Sequence, residues 1–449
     1  MFGSITVSLT VISFVITIIL ILLRPRGLNE AVPASAGAAL VLLSGSVSMS
    51  DLSHIGATVS SAAITILATI VMAIILESFG FFNWAAEGMA ARARGSGIRL
   101  FWYVNLLCFL MTLFFNNDGS ILITTPILIL LLDRLGLKNH QKIPYLLSGA
   151  LIATASSAPI GVSNIVNLIA LEIVGMDLYM HSLMMFIPAT LGLLFLSALL
   201  FICFYRQLPR HLHSKRMLYS GHGKHPLASE PEKLSGIKDR NKFMRNVLLF
   251  VFSVRAALFI ASYYGFPIEI VAIVGSAILL GWRWAVLNIT PADLVTKTPW
   301  HVLAFAFCMY VIIFGLMNIG LTEMIITVFE PVVSGDLVSA SLWMGILLSL
   351  MSLLFNNHPA LMIGTITLTS MDLDPLTLKV AYLASVIGSD IGALLLPVGT
   401  LASLIWLTLL RQYKVKVNWM DYVKVTVIVI PPSLLFTLIV LVFWVKWLY

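Results

Sequence analysis

The chain has little charge, little cysteine and none of the common hydrolytic motifs. Charged residues make up 10% of its 449 positions and hydrophobic residues 59%. Mean hydropathy is +1.00. No soluble domain needs that balance, so the composition excludes a soluble protein and points to a polytopic protein whose solvent is the lipid bilayer. The three cysteines, Cys108, Cys203 and Cys308, lie in separate apolar segments. They form neither a disulfide framework nor a metal-ligand spacing, so no metal and no cofactor are expected. HExxH, GxSxG and paired aspartyl motifs are missing, so the chain is not expected to be an enzyme. Acids are scarcer than bases, and the formal charge is +7. That excess alone would suit a nucleic-acid binder, but its placement, described below, assigns it to the membrane surface, and no nucleic-acid partner is expected.

What is present is a polar break inside apolar sequence. Phe114 to Pro126 reads FFNNDGSILITTP and sets Asn116, Asn117, Asp118, Gly119 and Ser120 in a row. Bilayers tolerate irregular backbone only where it is packed in protein or lines a wet cavity. An intramembrane carboxylate is a functional candidate by default. About 240 residues later the chain repeats the pattern as Phe355-Asn356-Asn357-His358-Pro359. Two such breaks in matching places are the sequence mark of a transporter's binding site.

Apolar runs place spans near 5–23, 33–50, 57–79, 144–175, 180–205, 246–265, 267–286, 300–320, 376–410 and 421–447. The first is read as a retained span, since it lacks a basic start and a small-residue cleavage site. Segments 99–133 and 338–371 hold the Asn-Asn motifs. If each is a re-entrant hairpin, the chain crosses ten times with both termini outside. The inner segments then collect 24 of the 27 Lys and Arg residues, as the positive-inside rule requires. Only Lys379 and Lys446 fall outside, and Arg255 lies within a span, to pair with an acid or to snorkel. Twelve full crossings would give the same orientation but leave the Asn-Asp turn in outside water.

The fold class expected is therefore an all-α polytopic membrane protein, with ten transmembrane helices plus two re-entrant hairpins in an inverted-topology repeat. The first repeat covers 4–205, with hairpin 99–133 and broken helix 144–175. A basic cytoplasmic linker covers 206–243; its His211, His213, His222 and His225 read as a solvated surface rather than a metal site. The second repeat covers 244–448, with hairpin 338–371 and broken helix 376–410. Five crossings per half turn the second half upside down.

Both long spans carry Pro-Gly breaks. The first has Pro159 and Gly161 among Ser156, Ser157, Ser163, Asn164 and Asn167. The second has Pro397 and Gly399, followed by Thr400 and Ser403. An unwound helix offers free N–H groups at one half and free C=O groups at the other. Asp390 precedes the second break, and no acid matches it in the first repeat. Taking a carboxylate out of water disfavours its charged form, so Asp118 and Asp390 are the proton-coupling candidates. His358 is a third titratable group. Glu77 and Glu172 lie nearer span ends, in reach of water.

FFNNDGSILITTPILILLL, SSAPIGVSNIVNLI, NNHPALMIGTITL and GSDIGALLLPVGTLASLIWL resemble the arsenite/antimonite efflux permeases (ArsB-type) of the ion transporter superfamily. The resemblance covers nearly the whole chain. It implies a ten-span core with two oppositely facing hairpins, elevator-like movement, and proton-driven extrusion of trivalent arsenic and antimony hydroxides across the cell membrane. It also implies that an ATPase subunit attaches in some systems. Asn116 departs from the pattern, since relatives often carry a small residue there. The chemistry agrees independently: arsenite at neutral pH is As(OH)3, a neutral polyol that needs donors and acceptors rather than a fixed cation. The motifs supply Asn, Ser, Thr and bare backbone, with no Lys or Arg. The alternatives are a sodium/proton antiporter built on Asp118 and Asp390, or efflux of another neutral oxyacid such as silicate or borate.

Overall fold

A computed structural model describes residues 3–212 and 239–449. Every regular element among the described residues is a helix. Ten of these helices are long and apolar enough to cross a bilayer: Ser4–Leu23, Met49–Ser78, Gly97–Phe114, Leu178–Phe204, Arg240–Tyr263, Ile268–Leu287, His301–Asn318, Leu337–Phe355, Pro375–Leu395 and Trp419–Leu448. Their outer faces stay apolar. Ile5, Leu9, Ile12 and Ile16 on the first helix are exposed, as a hydrocarbon solvent permits.

The number matches the expected crossings, but the set differs. The span expected at 33–50 is the 13-residue helix Ala31–Leu43. It stops because Gly45 turns with φ of 76° and Ser48 opens the next helix. Ser48 accepts from the Asp51 N–H while the Asp51 carboxylate accepts from the Ser48 N–H. This capping box starts the third helix eight residues before hydropathy alone suggests. Glu77, expected in reach of water, is buried near that helix's end.

The 144–175 segment divides into Asn139–Ala155 and Ile165–Val174, with a short turn at Gly161–Ser163 between them. The 376–410 segment divides into Pro375–Asp390, Gly392–Leu395 and Leu401–Gln412. The two Asn-Asn segments are helix–break–helix units, Gly97–Phe114 with Asn117–Arg134 and Leu337–Phe355 with Asn357–Thr369. The last arm has 13 residues and rises about 20 Å, short of the ~30 Å hydrocarbon core, so it cannot cross alone. Of the basic linker expected over 206–243, residues 213–238 lie outside the described residues, including His213, His222 and His225. Within that segment Asp239 caps the helix Arg240–Tyr263 by accepting from the Lys242 N–H.

Packing is crosswise. The return arm of the first hairpin, Asn117–Arg134, packs on Leu401–Gln412 of the second broken helix. The return arm of the second hairpin, Asn357–Thr369, packs on Ile165–Val174 of the first. Leu337–Phe355 lies tightly along Pro375–Asp390, where a Cβ on Gly388 would strike the Gly345 carbonyl. The half-helix after each break therefore packs on the return arm of the other half's hairpin.

Candidate functional site

The first hairpin tip forms where the helix Gly97–Phe114 ends. Phe115 leaves helical geometry and Asn116 is extended, with φ −157° and ψ 164°. Asn117 starts the return arm, and its side-chain oxygen accepts from the Asp118 N–H at 2.8 Å. A Cβ on Gly119 would strike the Asn116 side-chain oxygen, so glycine lets the tip fold back on itself. Asn116, Asn117, Asp118 and Ser120 are all buried. Asn116 Oδ1, Asp118 Oδ1 and Ser120 Oγ are buried without a protein hydrogen-bond partner.

The second tip turns at Asn356, whose φ of 75° with ψ of 155° lies outside the left-handed helical region and is a strained backbone position for any residue but glycine. Its side-chain amide donates to the Val398 carbonyl at 3.3 Å, and the Asn357 N–H donates to the Gly399 carbonyl at 2.9 Å. The second tip is thus tied to the second break. Pro359 sits in the first turn of the return arm, where its missing N–H costs nothing. His358 Nδ1 lies 3.1 Å from Asn357 Oδ1, while His358 Nε2, Asn357 Nδ2 and Asn356 Oδ1 are buried with no protein partner. Gly399 is required for space, since a Cβ there would strike the Ala393 carbonyl.

Asp390 joins the two broken helices. Its carboxylate accepts from Ser157 Oγ at 2.7 Å, Asn167 Nδ2 at 2.8 Å and Asn164 Nδ2 at 3.3 Å, and it is fully buried. Tyr382 Oη donates to the Asn167 carbonyl at 3.2 Å and braces the same contact. Asn164 also caps Ile165–Val174 through the Val166 N–H. Gly161 lies in the turn between, and Ser163 is buried there with an unpartnered hydroxyl. Two expected hydroxyls are used locally. Ser156 donates to the Ile152 carbonyl, and Thr400 caps the helix Leu401–Gln412 by accepting from the Ser403 N–H.

A cavity of about 720 Å³ reaches the first tip. Asn116, Asp118 and Gly119 line its buried end together with Val398 of the second break. Arg24, the buried Glu30, Lys297 and the exposed His301 and Arg411 line the same cavity. Glu30 is buried, ion-paired with Arg24, and has its other oxygen 3.8 Å from His301 Nε2. Asp390 does not line this cavity. Nearby, outside the spans, Asp293 is partly buried, which opposes its charge, yet hydrogen bonds from Arg283 and Lys297 hold its carboxyl below the usual range. Sequence reasoning missed Glu30, His301 and Tyr382, which are isolated letters in apolar or loop sequence with no spacing signal. It left Arg255 open between an acid and the interface. The structure gives a third answer: Arg255 is buried and donates to the carbonyls of Phe114 and Phe115.

Comparison with known proteins adds four findings. A family model described as arsenical pump membrane protein matches residues 9–445. A Bacillus subtilis (strain 168) protein, provisionally named an arsenical pump membrane protein, is 57% identical over 443 residues, covering 98% of this chain and all of that one. An Escherichia coli arsenical pump membrane protein is 29% identical over 426 residues, covering 95% of this chain and 96% of that one. Among solved structures, the Alcanivorax borkumensis YdaH transporter, described as having an unusual topology, superposes with a TM-score of 0.55. It covers 90% of each chain at 11% identity, a likeness of fold alone.

Proposed function

The chain belongs to the arsenical pump membrane protein family, and from that premise we propose that it is a secondary transporter that extrudes arsenite and antimonite as neutral trihydroxides, driven by proton entry. It is a multi-pass membrane protein. The observation that carries the substrate reading is the kind of hydrogen-bonding capacity left over at the motifs. Asn116 Oδ1, Asp118 Oδ1, Ser120 Oγ, Ser163 Oγ, Asn357 Nδ2 and His358 Nε2 are buried, polar and without a protein partner. A neutral polyol satisfies such a mixture of donors and acceptors, whereas desolvating its hydroxyls without partners would cost binding energy. The cations near the first tip are already engaged, Arg24 with Glu30 and Arg255 with the Phe114 and Phe115 carbonyls, so neither is free to pair with an anionic cargo. That arrangement disfavours a carrier of dicarboxylates.

The residues divide the work. Asn116, Asn117, Ser120, Asn356, Asn357 and His358 at the tips, with Ser163 at the first break, contact the hydroxyls. Gly119, Gly161, Gly399 and Pro359 shape the backbone around them. Ser156, Ser157, Asn164 and Thr400 hold the breaks in place. Asp118, at the cavity's inner end, carries the coupling proton. Asp390 fastens the broken helices and is the second coupling candidate. The cavity's lining includes Arg24, Lys297 and Arg411, all from segments that the charge rule assigns to the cytoplasm, so the cavity takes up its cargo from inside. Both termini then face out, the first repeat (4–205) and the second (244–448) lie in opposite senses, and the basic linker stays on the cytoplasmic surface. An ATPase subunit, where one exists, would dock on that surface.

The driving force suffices: one proton entering per exported neutral molecule supplies about 2.3 kcal/mol per 100 mV, roughly a fifty-fold gradient. Everted vesicles test the reading. Labelled arsenite and antimonite should accumulate inside them, and a protonophore should abolish the accumulation. Sodium-driven exchange with no arsenite uptake would instead favour the sodium/proton antiporter. Uptake of silicate or borate at equal rates would widen the substrate class to neutral oxyacids.

A further inference from the structure

The two hairpin tips are gripped differently. Arg255 lies on Arg240–Tyr263 and is 4% exposed. Its Nε donates to the Phe114 carbonyl at 2.7 Å and its Nη2 to the Phe115 carbonyl. Among the described residues no acid forms an ion pair with it. The partners of this cation are thus the last carbonyls of a helix, the negative end of its dipole, one residue before Asn116. Phe252, one turn earlier on the same helix, meets Phe114 edge-on at 6.3 Å.

The other tip has the same neighbour relation with different chemistry. Phe14 and Arg255 are 241 residues apart, and so are Phe114 and Phe355. Phe14 meets Phe355 as an edge-to-face ring pair, centroids 5.4 Å apart. A ring contact slides with small change in energy. Two hydrogen bonds from a desolvated guanidinium do not, because release leaves a buried cation and two carbonyls unpartnered at once.

We propose that Arg255 is a positioning residue and a latch: it holds the first hairpin tip so that Asn116 and Asp118 face the cavity, and the tip must leave it to present Asp118 to the opposite side. The contact through Phe14 is the freely sliding counterpart. The proposal rests on the transport reading above, but its main readout needs no substrate.

The test uses a cysteine-free full-length protein carrying one cysteine at Leu122, which lines the cavity beside the tip. An impermeant maleimide is applied to each face of the membrane. Arg255→Met should slow labelling from the cavity side roughly tenfold, the effect of losing a charged hydrogen bond, and raise the half-saturating arsenite concentration more than it lowers the maximal rate. Arg255→Lys should recover part of both, and Phe14→Ala should leave both near parental values. A second experiment keeps Arg255. Cysteines at Phe114 and Phe252, joined by a short cleavable bifunctional maleimide, should stop efflux until the link is cut. Parental labelling in Arg255→Met, or full efflux with the tip linked, would overturn the latch. Changed labelling with no arsenite export in the parent protein would strike the transport reading and leave the latch standing.

Discussion

At the scale of single residues, two carboxylates sit among the motifs in different surroundings. Asp118 has one oxygen without a protein partner and lines the cavity. Asp390 is held by three neutral donors from the other half of the chain. Asp118→Asn keeps the tip's shape and removes the titrating group. It should abolish uphill efflux while leaving thermal stability in detergent close to the parent's; uphill pumping by this variant would remove Asp118 from coupling. Asp390→Asn sets an amide donor against donors, so it should cost about 2 kcal/mol or more and lower the melting temperature as well as transport. Unchanged stability would mean that Asp390 does not fasten the breaks. The cysteines form a contrasting case. Trivalent arsenic binds thiolates, but tight capture would slow release. Cys108, Cys203 and Cys308 lie in three separate helices and none lines the cavity. Replacing all three with Ala or Ser should leave resistance largely intact, and loss of efflux in a folded triple variant would restore a thiol relay.

At the scale of elements, the tips and breaks act as pairs. The Asn357 N–H bonds to the Gly399 carbonyl, and Asn164 both caps its half-helix and reaches Asp390. Asn117→Ala, Asn164→Ala and Asn357→Ala should each raise the substrate concentration for half-maximal efflux. Asn164→Ala should also lose about 1 kcal/mol of stability through its missing cap. Concentration-dependent uptake in vesicles separates these effects. Three variants with parental affinity would make the motifs structural breaks and move the site elsewhere. The existence of these four elements was legible in FFNNDG, FNNHP and the two Pro-Gly breaks, because interrupting an apolar run is costly and leaves a visible polar mark. Their boundaries were less so. The helix expected at 33–50 stops at Leu43 because of a local turn and a capping box that window hydropathy averages away.

At the scale of the molecule, charge asymmetry predicts an orientation. With the basic segments inside, single cysteines at Lys416 and Lys446 should react with an impermeant maleimide from opposite faces, Lys416 from the cytoplasmic side. Reaction of both from one face would refute the ten-crossing path. On the proposal that acids in the apolar segments carry the coupling, exchanging the basic stretch at 213–238 for a neutral sequence should change transport affinity little.

Composition, the two Asn-Asn motifs and the two Pro-Gly breaks determined by themselves that this is a polytopic, all-helical membrane protein, and they nominated site residues without Glu30, His301 or Tyr382. Those signals are local, since lipid punishes every exposed polar group where it stands. Only the tertiary structure decided which groups meet. It placed Asp118 on a cavity and Asp390 off it, paired Ser157, Asn164 and Asn167 with Asp390 across more than two hundred residues, and gave Arg255 two carbonyls instead of an acid. A lone arginine in an apolar helix reads the same whatever it faces, because its partner is set by how helices pack and not by its neighbours in the chain.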